Sequence, residues 1–460
     1  MNKLLELIFP VMTWGPKYSL GRFRSDLVAG TVVVFITVPQ VIAYAFLAGM
    51  PAEAGLYAAM MSLVGYAIFG SSRALAVGPT AIIAMMTLEA ASSYAIPGTI
   101  DYTETVVQLC VVTGIVLILL RVVNFGSVIS FLSHAVVTGF ITAAAILIIS
   151  NQLPLMIGLA SSPDTSIVGV YRYLFEETSQ FNQAVVIVSL VAVAVLVFCK
   201  TYLGSLLKRT GLADAVIDSL VKSAPMYAVV IGVVSVQLFS LDTAFGVPVV
   251  GDIPTVLPGI NIVLMSLERF QALLPSALLI SMVIFMESTS IGTAIASKAR
   301  EKINPNQELV GLGFANLGSS LVGGVPVAGS FARSIVNFSS GSVSPVASLV
   351  TAFLVMITIL LFATLFFHLP KGVLSAIIVI SAWQLIDFQA VRKIFSFNGT
   401  DAVTFIFTFL AVLSLGVESG VLMGIAISFV LLIRSSSKPH IAVVGRVGDS
   451  EHFRNVERYD

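Results

Sequence analysis

Two ionisable residues lie inside long uncharged stretches, and they mark where this sequence could do chemistry. Arg333 stands alone in an otherwise uncharged stretch from 309 to 370, and Glu287 stands alone from 270 to 297. In a membrane, an arginine would attract an anion, and a carboxyl group would take up a proton or a cation as the anion binds. The structural alternatives are an arginine that binds carbonyls or pairs with an acid, and a salt bridge between the two residues.

Two segments each combine a β-prone stretch, a glycine or proline and a helical run. They are RALAVGPTA (73–81) and LVGGVPVAGSFARS (321–334). A helix that starts inside a membrane exposes free N–H groups and the positive end of its dipole, so it favours an anion. Gly78 allows close approach, Pro79 suits a first helical turn, and Ser330 can cap a helix or contact a ligand. Glycine and proline are also common in ordinary membrane helices, which is the alternative explanation.

Three more polar residues lie in apolar runs. Gln40 and Tyr44 are one helical turn apart and therefore share a face, where glutamine could bind a substrate and tyrosine could line its site. Hydrogen bonding between helices explains the pair equally well. Glu89 lies late in the third predicted span (79–95) and is predicted to face a polar gap between helices.

The composition is that of a polytopic membrane protein. Of 460 residues, 10% are charged and 57% are apolar, and the mean hydropathy is +1.01. A soluble protein with so few charges could not cover its surface. Lys plus Arg equals Asp plus Glu at 24 each, so no basic stripe predicts a nucleic-acid partner. Neither a nucleotide-binding loop nor a metal or nucleophile motif is evident, so we expect neither an enzyme nor a cofactor other than a coupling proton or sodium ion.

Uncharged runs separated by charges predict an all-α protein with about fourteen membrane segments. With both termini in the cytoplasm, twenty Lys and Arg residues lie inside and three outside, as the positive-inside rule requires. Residues 1–25 are predicted to lie along the interface. The predicted spans are 27–48, 52–70, 79–95, 104–122, 132–150, 182–202, 223–241, 270–297, 307–322, 329–340, 344–368, 371–386, 400–416 and 418–434.

The two broken segments occupy corresponding places in the two halves of this layout. Each is the third span of its half when the chain is divided into seven plus seven. Paired interruptions at corresponding positions indicate an inverted-repeat transporter with its binding site at the breaks. We therefore predict two half-helices, each preceded by a short strand.

The same residues resemble the SulP family of sulfate permeases and related anion transporters. In the first half the resemblance rests on DLVAG (26–30), VPQVIAYAFLAG (38–49) and PAEAGLYAAM (51–60). In the second half it rests on VVGDIPTVLPGI (249–260), ELVGLGFANLGSSLVGG (308–324) and SFARS (330–334). RSSSKPHIAVVGRV (434–447) resembles the junction into a STAS domain, so 437–460 is read as a truncated linker to a missing domain.

The resemblance implies an architecture like that of uracil permease. A core (26–123 and 262–369) would move against a gate (124–242 and 370–436) within the membrane domain, 26–436. It also implies a homodimer in the inner (plasma) membrane. An anion would lie between the half-helices of spans three and ten. The expected substrate-binding residues are Gln40, Tyr44, Gly78, Pro79, Thr80, Ser330, Phe331, Ala332 and Arg333.

For function, the resemblance implies a secondary active transporter, with Glu287 at an acidic position associated with proton coupling. We expect a sulfate-type symporter. The alternatives are a sodium-coupled bicarbonate transporter, a chloride or other anion exchanger, a nucleobase symporter, and an anion channel or voltage-responsive motor. The anion could be sulfate, bicarbonate, chloride or a dicarboxylate. Prestin-like members have serine where this chain has Ala332, which disfavours the motor.

Overall fold

The computed structural model describes residues 10–126, 134–260, 262–397 and 399–436, together with two short strands near the C-terminus. Residues 1–9 of the predicted interfacial segment (1–25) lie outside the described residues, and so does the predicted linker apart from those strands. The described chain is almost entirely helical, as the composition predicts.

The helices, numbered in chain order, are α1 Val11–Trp14, α2 Leu20–Leu47, α3 Ala52–Phe69, α4 Ala81–Ser92, α5 Ile100–Val122, α6 His134–Met156, α7 Ile167–Glu176, α8 Gln183–Phe198, α9 Gly204–Leu207, α10 Asp214–Lys222, α11 Ala224–Phe239, α12 Leu241–Phe245, α13 Leu267–Ala299, α14 Pro305–Leu321, α15 Phe331–Ser339, α16 Val346–Ile357, α17 Lys371–Trp383, α18 Phe388–Phe397, α19 Gly399–Leu415 and α20 Val417–Ser436. The strands are β1 Val77–Gly78, β2 Ala328–Gly329, β3 Val444–Arg446 and β4 Phe453–Asn455. Strands β3 and β4 pair with each other, antiparallel.

Eight helices in the described part of the chain are long and apolar enough to cross a bilayer, and a bent pair at 216–239 would make a ninth. The difference from fourteen arises partly because several predicted spans are short helices. The spans predicted at 79–95, 307–322, 329–340 and 400–416 contain helices of 12, 17, 9 and 17 residues. A helix of nine residues rises only about 14 Å, less than half of the hydrocarbon core. The count of fourteen stays a prediction.

Two short strands precede two short helices, as predicted. β1 leads into α4, and β2 leads into α15. The strands pair antiparallel, with Val77 opposite Gly329 and Gly78 opposite Ala328. The two breaks, which lie about 250 residues apart in the chain, therefore form one structural unit.

Glycines allow α14 to pack closely on α3 and α5. A Cβ atom on Gly65 of α3 would lie 2.8 Å from the Phe314 carbonyl oxygen of α14. A Cβ atom on Gly313 of α14 would lie 3.0 Å from the Gly114 carbonyl oxygen of α5. In a membrane, helices associate through such close backbone contacts because lipid supplies little hydrophobic driving force.

A close helix contact also joins α2 to α3. A Cβ atom on Gly55 of α3 would lie 2.0 Å from the Val41 carbonyl oxygen of α2, next to Gln40 in the chain. By contrast, a Cβ atom on Gly21, at the start of α2, would have no neighbour closer than 4.0 Å. Gly55 thus sets how closely the two helices approach.

We expect Gly55→Ala to lower the midpoint of thermal unfolding, because overpacking costs about 1–3 kcal/mol. Gly21→Ala is the matched control and should leave the midpoint unchanged or slightly higher, since alanine favours a helix by up to about 1 kcal/mol. The measurement is intrinsic fluorescence of the purified proteins in detergent during heating. Equal midpoints for the two variants would contradict this role of Gly55.

Candidate functional site

The paired strands bring the first turns of α4 and α15 to the same place. Beyond the strand pair, the Ser330 N–H donates to the Ala76 carbonyl oxygen at 3.0 Å. Residues Thr80–Ile82 and Ser330–Ala332 then line one small cavity. Two helix N-termini from opposite halves of the chain therefore face a common space.

Neither half-helix is capped by its own side chains. The N-cap residues, Thr80 and Ser330, make no side-chain hydrogen bond to the first turn. The first bonds within these helices run from Ala84 N–H to the Thr80 carbonyl and from Ser334 N–H to the Ser330 carbonyl, each 2.9 Å. The N–H groups of residues 81–83 and 331–333 thus have no acceptor in their own helix. Helices that begin elsewhere, such as α5 and α13, are capped by Thr99 and Ser266.

The cavity between the half-helices has a volume of about 40 Å³. At about 10–15 Å³ for each water position, this is room for roughly three waters, or one small anion. Seven of the ten predicted site residues line it: Gln40, Tyr44, Thr80, Glu287, Ser330, Phe331 and Ala332. The other three, Gly78, Pro79 and Arg333, lie outside its lining.

Arg333 lies behind the strand β1. Its side chain is 1% exposed, and Nη2 donates to the Pro79 carbonyl oxygen at 2.8 Å. A Cβ atom on Gly78 would lie 3.2 Å from Nη2, so the guanidinium group packs against the bare backbone of that glycine. Within the described chain, Nε and Nη1 have no hydrogen-bond partner. This contact with a carbonyl matches the structural alternative for Arg333, while its charge still acts electrostatically on Tyr44 and Glu287 in the cavity wall.

Glu287 faces the cavity from α13. Its Oε2 atom is buried and has no hydrogen-bond partner among the described residues. It interacts electrostatically with Arg333, but no ion pair between these two side chains is found in the described structure. The salt bridge considered as an alternative is therefore absent in this conformation. The carboxyl group retains an oxygen that a proton or a cation could occupy.

Gln40 contacts a residue that the sequence patterns did not single out. Its Nε2 atom donates to the Ser381 hydroxyl at 3.3 Å, which is the hydrogen bond between helices considered as its alternative role. Its Oε1 atom is buried and has no partner within the described residues. Ser381 and Gln384 also line the cavity, from the C-terminal end of α17. These two residues could have been recognised in the sequence, because they are polar, lie in an apolar stretch and are three residues apart. That spacing puts them on one helical face.

Three polar side chains complete the hydrogen bonds of the strands. The Ala76 N–H donates to the Ser334 hydroxyl, and the Gly329 N–H donates to the Ser288 hydroxyl, each at 2.8 Å. The Asn316 amide accepts from the Val327 N–H at 2.9 Å and donates to the Val327 carbonyl at 3.0 Å. A two-residue strand leaves most of its flanking backbone unpaired, so these side chains replace the missing neighbouring strands.

Glu308, a fully buried residue of α14, holds the chain just before β1. Its carboxylate accepts hydrogen bonds from the Tyr66 hydroxyl at 2.7 Å and the Ser71 hydroxyl at 2.5 Å. It also accepts from the N–H groups of Ser71 and Ser72, at 3.0 and 3.2 Å. These four bonds satisfy a buried charge and fix where the segment leading into β1 begins.

Asp26, near the start of α2, holds the chain just after α15 in a similar way. Its buried carboxylate accepts from the N–H groups of Val343 and Ser344, at 2.8 and 3.1 Å. The Ser344 and Tyr18 hydroxyls donate to it at 2.5 and 2.9 Å. Each broken segment is therefore anchored by one buried carboxylate from a distant part of the chain.

Two larger cavities flank the small one. A cavity of about 280 Å³, whose wall includes Lys200 and Lys222, shares Gln40, Ser381 and three further residues with the small cavity. A cavity of about 670 Å³, whose wall includes Lys371, shares no lining residue with it. The small cavity thus adjoins the cavity of Lys200 and Lys222, whereas it has no wall residue in common with the other one.

Glu89 lies in the wall of the larger cavity. Its carboxylate accepts from the Val417 N–H at 3.1 Å, at the start of α20. A Cβ atom on Gly416 would lie 2.4 Å from the carboxylate. Glu89 thus caps the N-terminus of α20. It does not line the small cavity.

Comparisons with known proteins give one consistent result. A family described as "Sulfate permease family" matches residues 23–408. "Probable sulfate transporter 4.2" of Arabidopsis thaliana is 32% identical over 99% of this chain and 66% of its own length. "High affinity sulfate transporter 2" of Stylosanthes hamata is 30% identical over 99% of this chain and 68% of its own length. The chain thus spans about two thirds of the length of these relatives.

Solved structures share the fold. The murine Solute Carrier 26 family member A9 anion transporter in the inward-facing state has a TM-score of 0.85 at 24% identity, covering 100% of this chain and 76% of that one. The transmembrane domain of the cyanobacterial bicarbonate transporter BicA has a TM-score of 0.73 at 21% identity, covering 89% of this chain and 98% of that one. At these identities the likeness concerns the fold.

The support of β2 by Asn316 can be tested directly. Asn316→Ala leaves the N–H and carbonyl groups of Val327 buried and unpaired, which costs about 1–3 kcal/mol for each group. We expect a lower midpoint of thermal unfolding and faster hydrogen exchange in peptides covering 325–330. Ser320→Ala is the control, because that hydroxyl bonds only to the Leu317 carbonyl of its own helix. Exchange at 325–330 that is equal in the two variants would show that Asn316 does not hold the strand.

Proposed function

The chain belongs to the sulfate permease family, and from this we propose that it is a secondary active transporter of a small inorganic anion. The observation that carries the proposal is the pair of uncapped half-helix N-termini facing one cavity of about 40 Å³. Two sets of free N–H groups and two positive dipole ends bind an anion without a formal cation in contact. The buried charge of Arg333 lies behind them and adds to the positive potential.

We propose a sulfate-type oxyanion as the substrate. A cavity of about 40 Å³ suits a compact inorganic anion better than a dicarboxylate. Relatives that bear the name sulfate transporter support sulfate. Bicarbonate is the second candidate, because BicA shares the fold and bicarbonate also suits the N–H groups. Chloride exchange is the third, and no cofactor beyond a coupling ion is proposed.

Proton coupling is proposed through Glu287. Its buried Oε2 atom has no partner in the described chain, although Arg333 acts on it electrostatically. An anion that enters beside a carboxylate is repelled, and protonation of Glu287 removes the repulsion. The anion and the proton therefore favour each other's binding, which is the thermodynamic basis of symport. A sodium ion at the same oxygen would act alike and is the alternative.

For the transport cycle we propose an elevator-like movement of the core, 26–123 and 262–369, against the gate, 124–242 and 370–436. This layout takes the fourteen spans as a seven-plus-seven inverted repeat in a homodimer in the plasma membrane. The distribution of basic residues supports a cytoplasmic location for both termini. The cavity of Lys200 and Lys222 then opens to the cytoplasm. Because the small cavity adjoins it, we propose that the conformation described above is the inward-facing state.

The first test measures uptake of labelled sulfate into proteoliposomes with and without an inward proton gradient. We expect the gradient to drive concentrative uptake. Glu287→Gln should abolish that uptake while retaining sulfate exchange, since the amide keeps the shape but cannot carry the proton.

The control is Glu268→Gln, which changes an exposed carboxyl group on the same helix and should transport normally. Uptake by the unmodified protein that ignores the proton gradient and follows a sodium gradient would replace the proton by sodium. A large uncoupled chloride current in electrophysiology would favour a channel instead.

The second test concerns Arg333. Arg333→Gln removes the buried charge, and we expect the KM for sulfate to rise at least about tenfold, which corresponds to the loss of about 1.4 kcal/mol. Arg333→Lys keeps a charge and should recover part of the affinity. Arg392→Gln, on the exposed surface of α18, is the matched control. Gel filtration checks that each variant is folded. An unchanged KM in a folded Arg333→Gln protein would remove Arg333 from the proposed site.

A further inference from the structure

The core and the gate of the proposed transporter are joined at the N-terminus of α20. Glu89, on α4 of the core, accepts a hydrogen bond at 3.1 Å from the N–H group of Val417, the first residue of α20 in the gate. Val417 is 1% exposed, so its N–H group is shielded from water. In the orientation proposed above, this junction lies at the outer end of both domains.

A second hydrogen bond joins the same two domains in the opposite sense. The Ser276 hydroxyl, on α13 of the core, donates to Oε1 of Glu418 in the gate at 2.6 Å. Glu418 directly follows Val417 in the chain. The core and the gate therefore each supply one carboxylate and one donor to the first turn of α20.

Gly416 gives this junction its close fit. It is the single residue between α19 and α20, and its φ of +88° lies in the left-handed region that favours glycine. A Cβ atom at this position would lie 2.4 Å from Oε1 of Glu89. The carboxylate thus occupies the space that any other residue would fill with its side chain.

Opposing electrostatic forces act on Glu89. A carboxylate at a helix N-terminus is stabilised by the helix dipole and by a charge-assisted hydrogen bond. Glu418 repels Glu89, because both side chains are acidic and lie near each other. Attraction to the backbone and repulsion between carboxylates partly cancel, so the junction can hold the domains together and still open during transport.

The cytoplasmic side of the boundary has contacts of another kind. They include the hydrogen bond from Gln40 to Ser381 and one from Lys222 to the Ser339 hydroxyl. Gln40, Ser381 and Lys222 line the cavity of about 280 Å³ that adjoins the small cavity. The outer cavity of about 670 Å³ shares no wall residue with the small one. The junction at α20 therefore lies on the side where the route to the small cavity is closed.

We propose that Glu89, Val417, Ser276 and Glu418 form a latch that closes the outer side of the transporter. The inference rests on the proposed division into core and gate. An elevator-like movement displaces α4 and α13 of the core relative to α20 of the gate, and both hydrogen bonds break in that step. The latch therefore favours the inward-facing state. Glu89 and Ser276 are positioning residues, since neither lines the cavity of about 40 Å³.

Two cysteine reporters on α17 test the latch. Ser375 is 2% exposed and lies in the wall of the outer cavity, whereas Ile380 lies in the wall of the cavity of about 280 Å³. Ser375→Cys and Ile380→Cys are introduced separately, and their rates of reaction with a water-soluble methanethiosulfonate are measured in detergent without sulfate. The natural cysteines, Cys110 and Cys199, are buried, and the protein without a reporter gives the background.

We expect Glu89→Ala to speed the reaction at Ser375→Cys at least about tenfold, because a hydrogen bond to a charged group is worth about a factor of ten or more. Glu89→Gln should have a smaller effect, since its amide oxygen still accepts from Val417. Ser276→Ala should speed the same reaction by about threefold. Ser276 does not line the outer cavity, so this effect cannot arise from a change in the cavity wall.

The inner reporter separates a shift between two states from a loosened fold. Glu89→Ala and Ser276→Ala should leave the reaction at Ile380→Cys unchanged or slow it, because the outward-facing state closes the cytoplasmic side. An unstable protein would react faster at both reporters. Faster reaction at Ile380→Cys in both variants would therefore contradict the latch.

The matched control is Ser93→Ala, which alters the wall of the outer cavity one helical turn after Glu89. The Ser93 hydroxyl donates to the main-chain carbonyl of Glu89 within the core, so both rates should stay unchanged. Equal rates at Ser375→Cys in the unmodified and Glu89→Ala proteins would overturn the latch, and so would an equal increase in Ser93→Ala. The assay contains no sulfate and does not depend on the transported anion. A failure of the proposed transport would appear separately, as a lack of uptake by the unmodified protein in proteoliposomes.

Discussion

A chain that breaks a helix inside a bilayer must supply hydrogen-bond partners for the freed backbone, because lipid offers none. Much of the structure follows from that requirement. The two breaks pair with each other as strands, and side chains of serine and asparagine serve the flanking N–H and carbonyl groups. The first turns of the two half-helices also have no side-chain cap, and both line one cavity. A bound anion there can accept from their N–H groups.

This arrangement explains how a neutral, charge-poor chain can be suited to an anion. Burying a lysine or arginine in direct contact with the substrate would require desolvation of both charges, and the anion would then leave slowly. Backbone dipoles are already desolvated and fixed, so they bind without that cost. Arg333 fits the same logic, because Pro79 and Gly78 separate its guanidinium group from the cavity. Its charge raises the potential without forming a tight ion pair.

The sequence was sufficient for the local features of this site. Short strands before half-helices were predictable at 73–81 and 321–334, because a β-prone stretch followed by glycine or proline interrupts a membrane helix. Arg333 and Glu287 were conspicuous for their charge alone. What could not be predicted depends on contacts between distant segments. Nothing near Glu308 or Asp26 in the chain shows that each carboxylate holds a loop more than 200 residues away. Ser381 lies in the cavity wall and accepts from Gln40, which is more than 300 residues away in the chain.

The pairing of β1 with β2 also has a consequence for biosynthesis. Val77 leaves the ribosome about 250 residues before its partner Gly329. At about 5–20 residues per second, the first break waits roughly 12–50 s for the strand that completes it. During that interval its backbone groups must be kept near water, the translocon or neighbouring helices. The first half of the chain therefore inserts as an unfinished domain, and the proposed anion site forms only when the second half has followed.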